Sequence, residues 1–450
     1  MPTVIGTIFF SCGIYCFFLN EGGLLPLLLV SSIFEAASAV NIAGRGIQPY
    51  YVVSIFIIAK ALANRFLGVS LIRPPAYRNP LLVFGFIAVG SAFVLPVLFA
   101  GTPIYSSKMS IDDPFFFRAP LALGLDNFAQ AGFLACSIAV VLSVPTLRFS
   151  VEKVRRAYIF AFWLLALIVL AQSACQLLGI TFPDFLIRNN PGYGLFELND
   201  YYIVRKPGSF SEASLAGAAL VMFTVGFITE YLAGRGRAGR LLLALIVSGL
   251  VSSTGSLLVT TLFVIALFFR YPPFRLPWHI KIHRARRIAW LVFLLLGPLT
   301  AALLASPSYR DTLVAFTLSK GETGSFLNRS TADLYGLRLF LDSHLIGVGL
   351  GSNRASSMLS TLLSDVGIAG ALAFAVFFHR LMTGLPKDYT WLKWGGYALL
   401  LNSFVDVPDV TFPMLWVALS LAASFSAKEA SGLTAGEFGV ASSSVRIKPL

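Results

Sequence analysis

Charge is what this 450-residue chain has least of: Asp, Glu, Lys and Arg make up 12% of it, against 57% hydrophobic residues and a mean hydropathy of +0.79. Soluble globular domains carry about 25% charged residues, so the composition excludes that class and points to a polytopic membrane protein. Cysteine is also scarce. Cys12, Cys16, Cys136 and Cys175 lie in or beside apolar segments without metal-ligand spacing, and read as small buried hydrophobes. There is no P-loop and no G-x-G-x-x-G following a strand, which removes the common nucleotide-phosphate signatures. No internal repeat is evident, which argues against a transporter built from repeats. The opening MPTVIGTIFF lacks a basic n-region and a clear cleavage site, so its apolar run is expected to be a retained helix.

What the chain does have is apolar runs near the roughly 20 residues needed to cross a bilayer core. Spans are expected near 3–19, 23–42, 47–64, 80–100, 126–145, 157–177, 213–232, 241–253, 255–270, 288–306, 357–379, 391–405 and 410–427. The fold class is therefore all-α, a bundle of about 12–13 spans, with 1–428 as the transmembrane domain and 429–450 as a disordered cytoplasmic tail. The net charge of +13 calls for no nucleic acid. Basic residues gather at Arg65–Arg78, Arg148–Arg156, Arg235–Arg240, Arg270–Arg287, Arg380–Lys387 and Lys428–Lys448, and all can face the cytoplasm. Because both ends of 241–270 are basic, that interval is expected to be a hairpin turning at Ser252–Ser256.

Three polar intervals then face outward: about 101–125, 178–212 and 306–356. In the first, Asp112-Asp113 reads as a surface turn rather than a metal pair. In the second, Tyr193, Phe196, Tyr201 and Tyr202 stand among Asn and Asp, which suits either sugar binding or an interfacial aromatic belt. Arg205 follows, and Ser209-Phe210-Ser211-Glu212 matches a capping box. Glu212 is thus either a helix cap or a carboxylate placed to accept a proton from an attacking hydroxyl.

The third interval carries Arg310, Lys320, Arg329, Arg338 and Arg354 on the side where basic residues are usually sparse. Ser330–Asp333 predicts a capped surface helix over 331–342. His344 then precedes three alternate glycines, Gly347, Gly349 and Gly351, which permit tight turns and close ligand approach. Arginine binds phosphate through a planar fork and keeps its charge. Arg205, Arg329, Arg338 and Arg354 are therefore candidates to hold a lipid diphosphate. The alternative is pairing with Asp311, Glu322, Asp333 and Asp342 in an ordinary solvated loop.

Arg329, the following dozen residues, and HLIGVGLGSNRASSMLSTLLSDVGIAGALAF with its Gly367–Gly370 ending resemble the C-terminal region of the O-antigen ligase and polymerase superfamily. RKPGSFSEASLAG, 205–217, is similar to the family's upstream arginine and the helix after it. The resemblance implies a GT-C-like bundle in the bacterial inner membrane. It also implies a glycosyltransferase that takes an undecaprenyl-diphosphate-linked oligosaccharide at the outer face, without cofactor or metal. A flippase and a chain-length regulator would be its partners in polysaccharide biosynthesis. Arg205 and Arg329 match the family's arginines best. Ligases carry a histidine several residues after the G-x-G, where this chain has Arg354-Ala355-Ser356-Ser357; His344, before the glycines, is either a further site residue or a structural histidine at a turn. That departure favours a polymerase of O-antigen, capsule or exopolysaccharide over a ligase acting on lipid A core. A polysaccharide flippase is the alternative from another class.

Overall fold

A computed structural model describes residues 1–42, 44–68, 75–105, 118–191, 205–270 and 324–430. Among these, the chain forms thirteen α-helices and two very small hairpins. The expected all-helical architecture is therefore present. Helices α1 (Val4–Leu19), α2 (Leu24–Ser32) and α3 (Pro49–Phe66) open the chain. They are followed by α4 (Arg78–Leu98), α5 (Leu125–Ser143), α6 (Val151–Leu177), α7 (Ala213–Leu232), α8 (Ala238–Val251) and α9 (Thr254–Arg270). The last four are α10 (Gly324–Asp342), α11 (Met358–Thr383), α12 (Thr390–Asp406) and α13 (Pro413–Ala430).

Among the described residues, five segments are long and apolar enough to cross a membrane: α4, α5 with its extension to Thr146, α6, α7 and α11. This is compatible with a helical membrane protein. Their outer faces fit that reading, since Phe86, Val94, Leu98, Phe160 and Leu167 all stand exposed. The remaining apolar helices are shorter, so the expected set of full-length spans is only partly met. The expected span 288–306 lies outside the described residues, as do most of the tail, Asp112-Asp113, Tyr193, Phe196, Tyr201 and Tyr202.

The expected span 23–42 is not formed. Helix α2 stops at Ser32, where the Ser31 and Ser32 hydroxyls bond back to the carbonyls of Leu28 and Leu29. The chain then turns through Glu35 and enters a hairpin, β1 (Val40–Ile42) against β2 (Arg45–Ile47), with Val40 opposite Ile47. Polar partners drive the departure: Ala36 N–H bonds the Ser209 carbonyl, and the Ser209 hydroxyl bonds the Ile33 carbonyl. The second small pair, β3 (Pro103–Ile104) and β4 (Ala119–Pro120), lies within the 101–125 interval.

Helix α7 is the axis of the bundle, buried along almost its whole length. Its small residues let neighbours approach closely. A Cβ on Gly217 would sit 2.2 Å from the Ser256 hydroxyl, and α12 returns the relationship with Gly395 against Met222. The α8–α9 hairpin forms as expected, with Ser252 left-handed at φ 53° and α9 beginning at Thr254.

Ionic groups sort to the two ends of α7. At its C-terminal end Glu230 binds Arg155 at 3.1 Å and Arg240 at 3.4 Å, with Arg235 on Asp388 nearby in sequence. At its N-terminal end lies a second cluster, described next. A helix of 20 residues spans about 30 Å, the thickness of a bilayer core.

Candidate functional site

Glu212 occupies the N-cap position of α7 in extended backbone geometry, yet its side chain makes no capping bond. The expected Ser209–Glu212 capping box is not formed. Ser209 is spent on the Ile33 carbonyl, and Ser211 donates both its N–H and its hydroxyl to Glu35. Released from the cap, Glu212 Oε2 accepts from the Ser214 hydroxyl at 3.0 Å and from Arg329 at 3.1 Å.

Arg329 comes from α10, which begins at Gly324 rather than near 331. Ser330 is therefore inside the helix and bonds back to the Phe326 carbonyl, so the expected Ser330–Asp333 box is also absent. Asp333 caps the neighbouring helix instead. Its Oδ1 accepts from Ser356 and Ser357 N–H at 2.8 and 2.9 Å, just where α11 starts. Burial pushes the Asp333 carboxyl up, while the serine bonds and Arg329 oppose that rise.

The third member of the cluster was not visible in the sequence reading. Asp406 ends α12, a place where the helix dipole disfavours an acid. Two partners compensate. Arg329 Nη1 lies 2.5 Å from Oδ1, and the Ser253 hydroxyl donates to Oδ2 at 3.0 Å. Ser256 donates in turn to Ser253. The α8–α9 turn, the starts of α7 and α10 and the end of α12 thus converge on one guanidinium. The signal that could have found Asp406 is an acid closing an otherwise apolar helix, in SFVDVPDV.

Arg329 is about one-third exposed. Burial alone lowers its pKa, but Asp406, then Glu212 and Asp333, outweigh it and raise the guanidinium above the ordinary arginine value. A guanidinium carries five donors. Two reach Asp406 and Glu212, and the others have no partner among the described residues. Asn402, one turn deeper on α12, is fully buried with neither amide atom bonded among the described residues.

The other sequence candidates are placed differently. Arg205 is half-buried and engaged, on the same short segment as Glu212. Arg338 is exposed and pairs with Asp342 at 3.6 Å. Nine positions along a helix amount to about 14 Å and half a turn, so Arg338 sits on the face of α10 opposite Arg329. His344 is exposed in a left-handed turn at φ 54°. Arg354 is exposed, with its N–H on the Tyr105 carbonyl.

The alternate glycines form a packed turn. The amides of Gly351 and Asn353 donate to the buried carboxylate of Asp365 at 3.0 and 3.1 Å, and Gly349 N–H donates to the Asp365 carbonyl. Gly347 and Leu350 N–H go to Ser343 and Ser91 hydroxyls. These amides are taken by the protein itself, leaving no cradle for a phosphate. No family model and no curated protein matches this chain.

Proposed function

We propose that this protein is a membrane glycosyltransferase that polymerises oligosaccharide repeats carried on undecaprenyl diphosphate, at the outer face of a bacterial inner membrane. The observation that carries the reading is Arg329 held between Glu212 and Asp406 at one end of the bundle, about one bilayer core from the basic cluster at Glu230. By the positive-inside rule the basic end is cytoplasmic, so the Arg329 end faces outward.

The chemistry follows from the donors and acceptors present. An acceptor sugar hydroxyl attacks the anomeric carbon of the donor glycan. The bond from that carbon to the diphosphate oxygen breaks, and the electron pair leaves with the lipid diphosphate. The Arg329 N–H groups that have no partner among the described residues, with Arg205 on the adjacent segment, stabilise the charge that develops there. Glu212, fixed by Arg329 and Ser214, takes the hydroxyl proton. Asp406 positions the guanidinium and touches neither substrate. The reaction as written draws on no cofactor.

The test uses purified protein in lipid with a single lipid-linked repeat unit and no energy source. Longer glycan chains are expected, and Arg329→Ala is expected to abolish them. Retained chain growth in Arg329→Ala, together with loss of glycan movement across the membrane, would establish a transporter instead.

A further inference from the structure

Beside the Arg329 cluster is a small cleft of about 50 Å³, lined by Glu35, Gln48, Tyr51, Gln130, Asp409 and Phe412 among others. From its geometry we infer that this cleft is a sugar subsite, holding one hydroxyl-bearing edge of a neutral hexose from the glycan substrate. The inference rests on the glycan-polymerase reading of the Arg329 site.

Continuity of the chain ties the two sites together. Glu35 Oε2 accepts from Ser211 N–H at 2.9 Å and from its hydroxyl at 3.0 Å, and Ser211 is the immediate neighbour of Glu212. Asp409 follows Asp406 in the turn between α12 and α13. The segment that carries Asp406 therefore also lines the cleft, and the segment that carries Glu212 holds Glu35, one of its walls.

The groups facing the cleft define the ligand chemistry. Glu35 is 2% exposed, and its second oxygen, Oε1, has no hydrogen-bond partner among the described residues. A carboxylate buried to this extent with an unused acceptor is costly unless something donates to it. The Asp409 side chain, half-buried on the same cleft, has no partner among the described residues either. The carboxamides of Gln48 and Gln130 supply polar contacts, with Gln48 donating to the Glu35 carbonyl and Gln130 accepting from Thr411. Tyr51, stacked on Phe133 at 4.3 Å, and Phe412 supply aromatic surface. Carboxylates and amides beside aromatic surface match the hydroxyl rim and apolar face of a pyranose.

Charge and size narrow the choice. Two carboxylates in one cleft repel a phosphate, so the diphosphate belongs on the Arg329 side and a neutral polyol on this one. A hydroxyl-sized guest needs about 10–15 Å³, so the cleft accepts roughly three or four such groups. That corresponds to one edge of a hexose rather than a whole ring.

The test is saturation-transfer NMR on the full chain in lipid nanodiscs, with methyl glycosides of glucose, galactose, mannose, N-acetylglucosamine and N-acetylgalactosamine as probes. At least one glycoside is expected to bind. Asp409→Ala, which removes no fold contact, is expected to weaken it about tenfold, and Asp409→Asn to retain most of the affinity. Glu35→Ala is the second variant and is expected to weaken binding to a similar degree, with thermal unfolding recorded alongside to confirm that it is folded. Absence of transfer to every glycoside overturns the inference, as does wild-type affinity in Asp409→Ala or in folded Glu35→Ala. The readout is independent of chain growth, so a failure here leaves the Arg329 reading standing, and a failure of chain growth leaves glycoside binding to be scored by itself.

Discussion

Arg329 and Asp406 lie 77 positions apart in the chain and meet through a 2.5 Å bond from Nη1 to Oδ1. The pair fastens α10 to the end of α12, and Glu212 extends it to the start of α7. Removing the guanidinium leaves two carboxylates facing each other without a counter-charge. Arg329→Ala is expected to reduce chain growth by roughly 100–1,000-fold, the scale of losing a main donor to a developing oxyanion. Arg329→Lys keeps the charge but loses the fork, and is expected to remain at least about tenfold impaired. A double-mutant cycle with Asp406→Ala, read by denaturation, is expected to give a coupling of about 1–2 kcal/mol. A coupling of zero would mean the contact has no energetic weight.

The glycine turn makes a prediction about folding rather than chemistry. Gly367 has φ 72° inside α11, and a Cβ there would lie 2.2 Å from the Ile346 carbonyl oxygen. Gly347 meets the Asp365 carbonyl in the same way from the other side. The two glycine sets exist so that two backbones can touch. Gly367→Ala is expected to cost roughly 2–4 kcal/mol, or to prevent folding. Asp365→Ala, which strands the amides of Gly351 and Asn353, is expected to cost a similar amount. Thermal unfolding in detergent checks both, and an unchanged midpoint in either would disprove the packing account.

Much of this was legible before the structure. Long apolar runs and basic clusters mark the helices, and the shared basic ends of 241–270 identify the α8–α9 hairpin, because membrane insertion acts on local composition. The misreadings share one cause. Both capping-box patterns, Ser209–Glu212 and Ser330–Asp333, have the right residues at the right spacing. In each case a partner distant in sequence claims the side chain: Ile33 for Ser209, Arg329 for Glu212, and Ser356 with Ser357 for Asp333. Local pattern cannot weigh contacts that lie from 23 to 176 positions away. Asp406 was missed for the same reason, since its importance exists only once α12 meets α10. The span at 23–42 failed because Ser31 and Ser32 bond back to carbonyls three residues earlier where the helix stops, and Glu35 finds its partner, Ser211, across the fold.

Glu35 gives a pH dependence with a definite sign. Burial raises its carboxyl from the ordinary 4.5 to about 7; the Ser211 bonds oppose the rise, and Asp409 and Glu212 add to it. An acid whose folded pKa is raised holds its proton more tightly when folded. Its contribution to stability is full below about 4.5 and is lost as pH climbs to about 7, a change on the order of 3 kcal/mol. The unfolding midpoint is therefore expected to fall between about pH 5 and 7.5 in the wild type, and Glu35→Gln is expected to flatten that slope. An identical slope in the variant would place the titrating group elsewhere.

Asn402 separates stability from function. It is fully buried on α12 one turn below Asp406, and neither Oδ1 nor Nδ2 finds a partner among the described residues. Two unbonded polar atoms in a core cost stability, whereas an apolar residue of similar shape costs none. Asn402→Leu is thus expected to raise the unfolding midpoint by a few degrees. On the proposed polymerase reading, stability left unused beside the Arg329 cluster fits a working site. On that reading the same variant is expected to slow chain growth, because it replaces an unbonded polar amide one turn from the Asp406–Arg329 pair with an apolar side chain. A variant that is both more stable and fully active would show that Asn402 serves no purpose at the site.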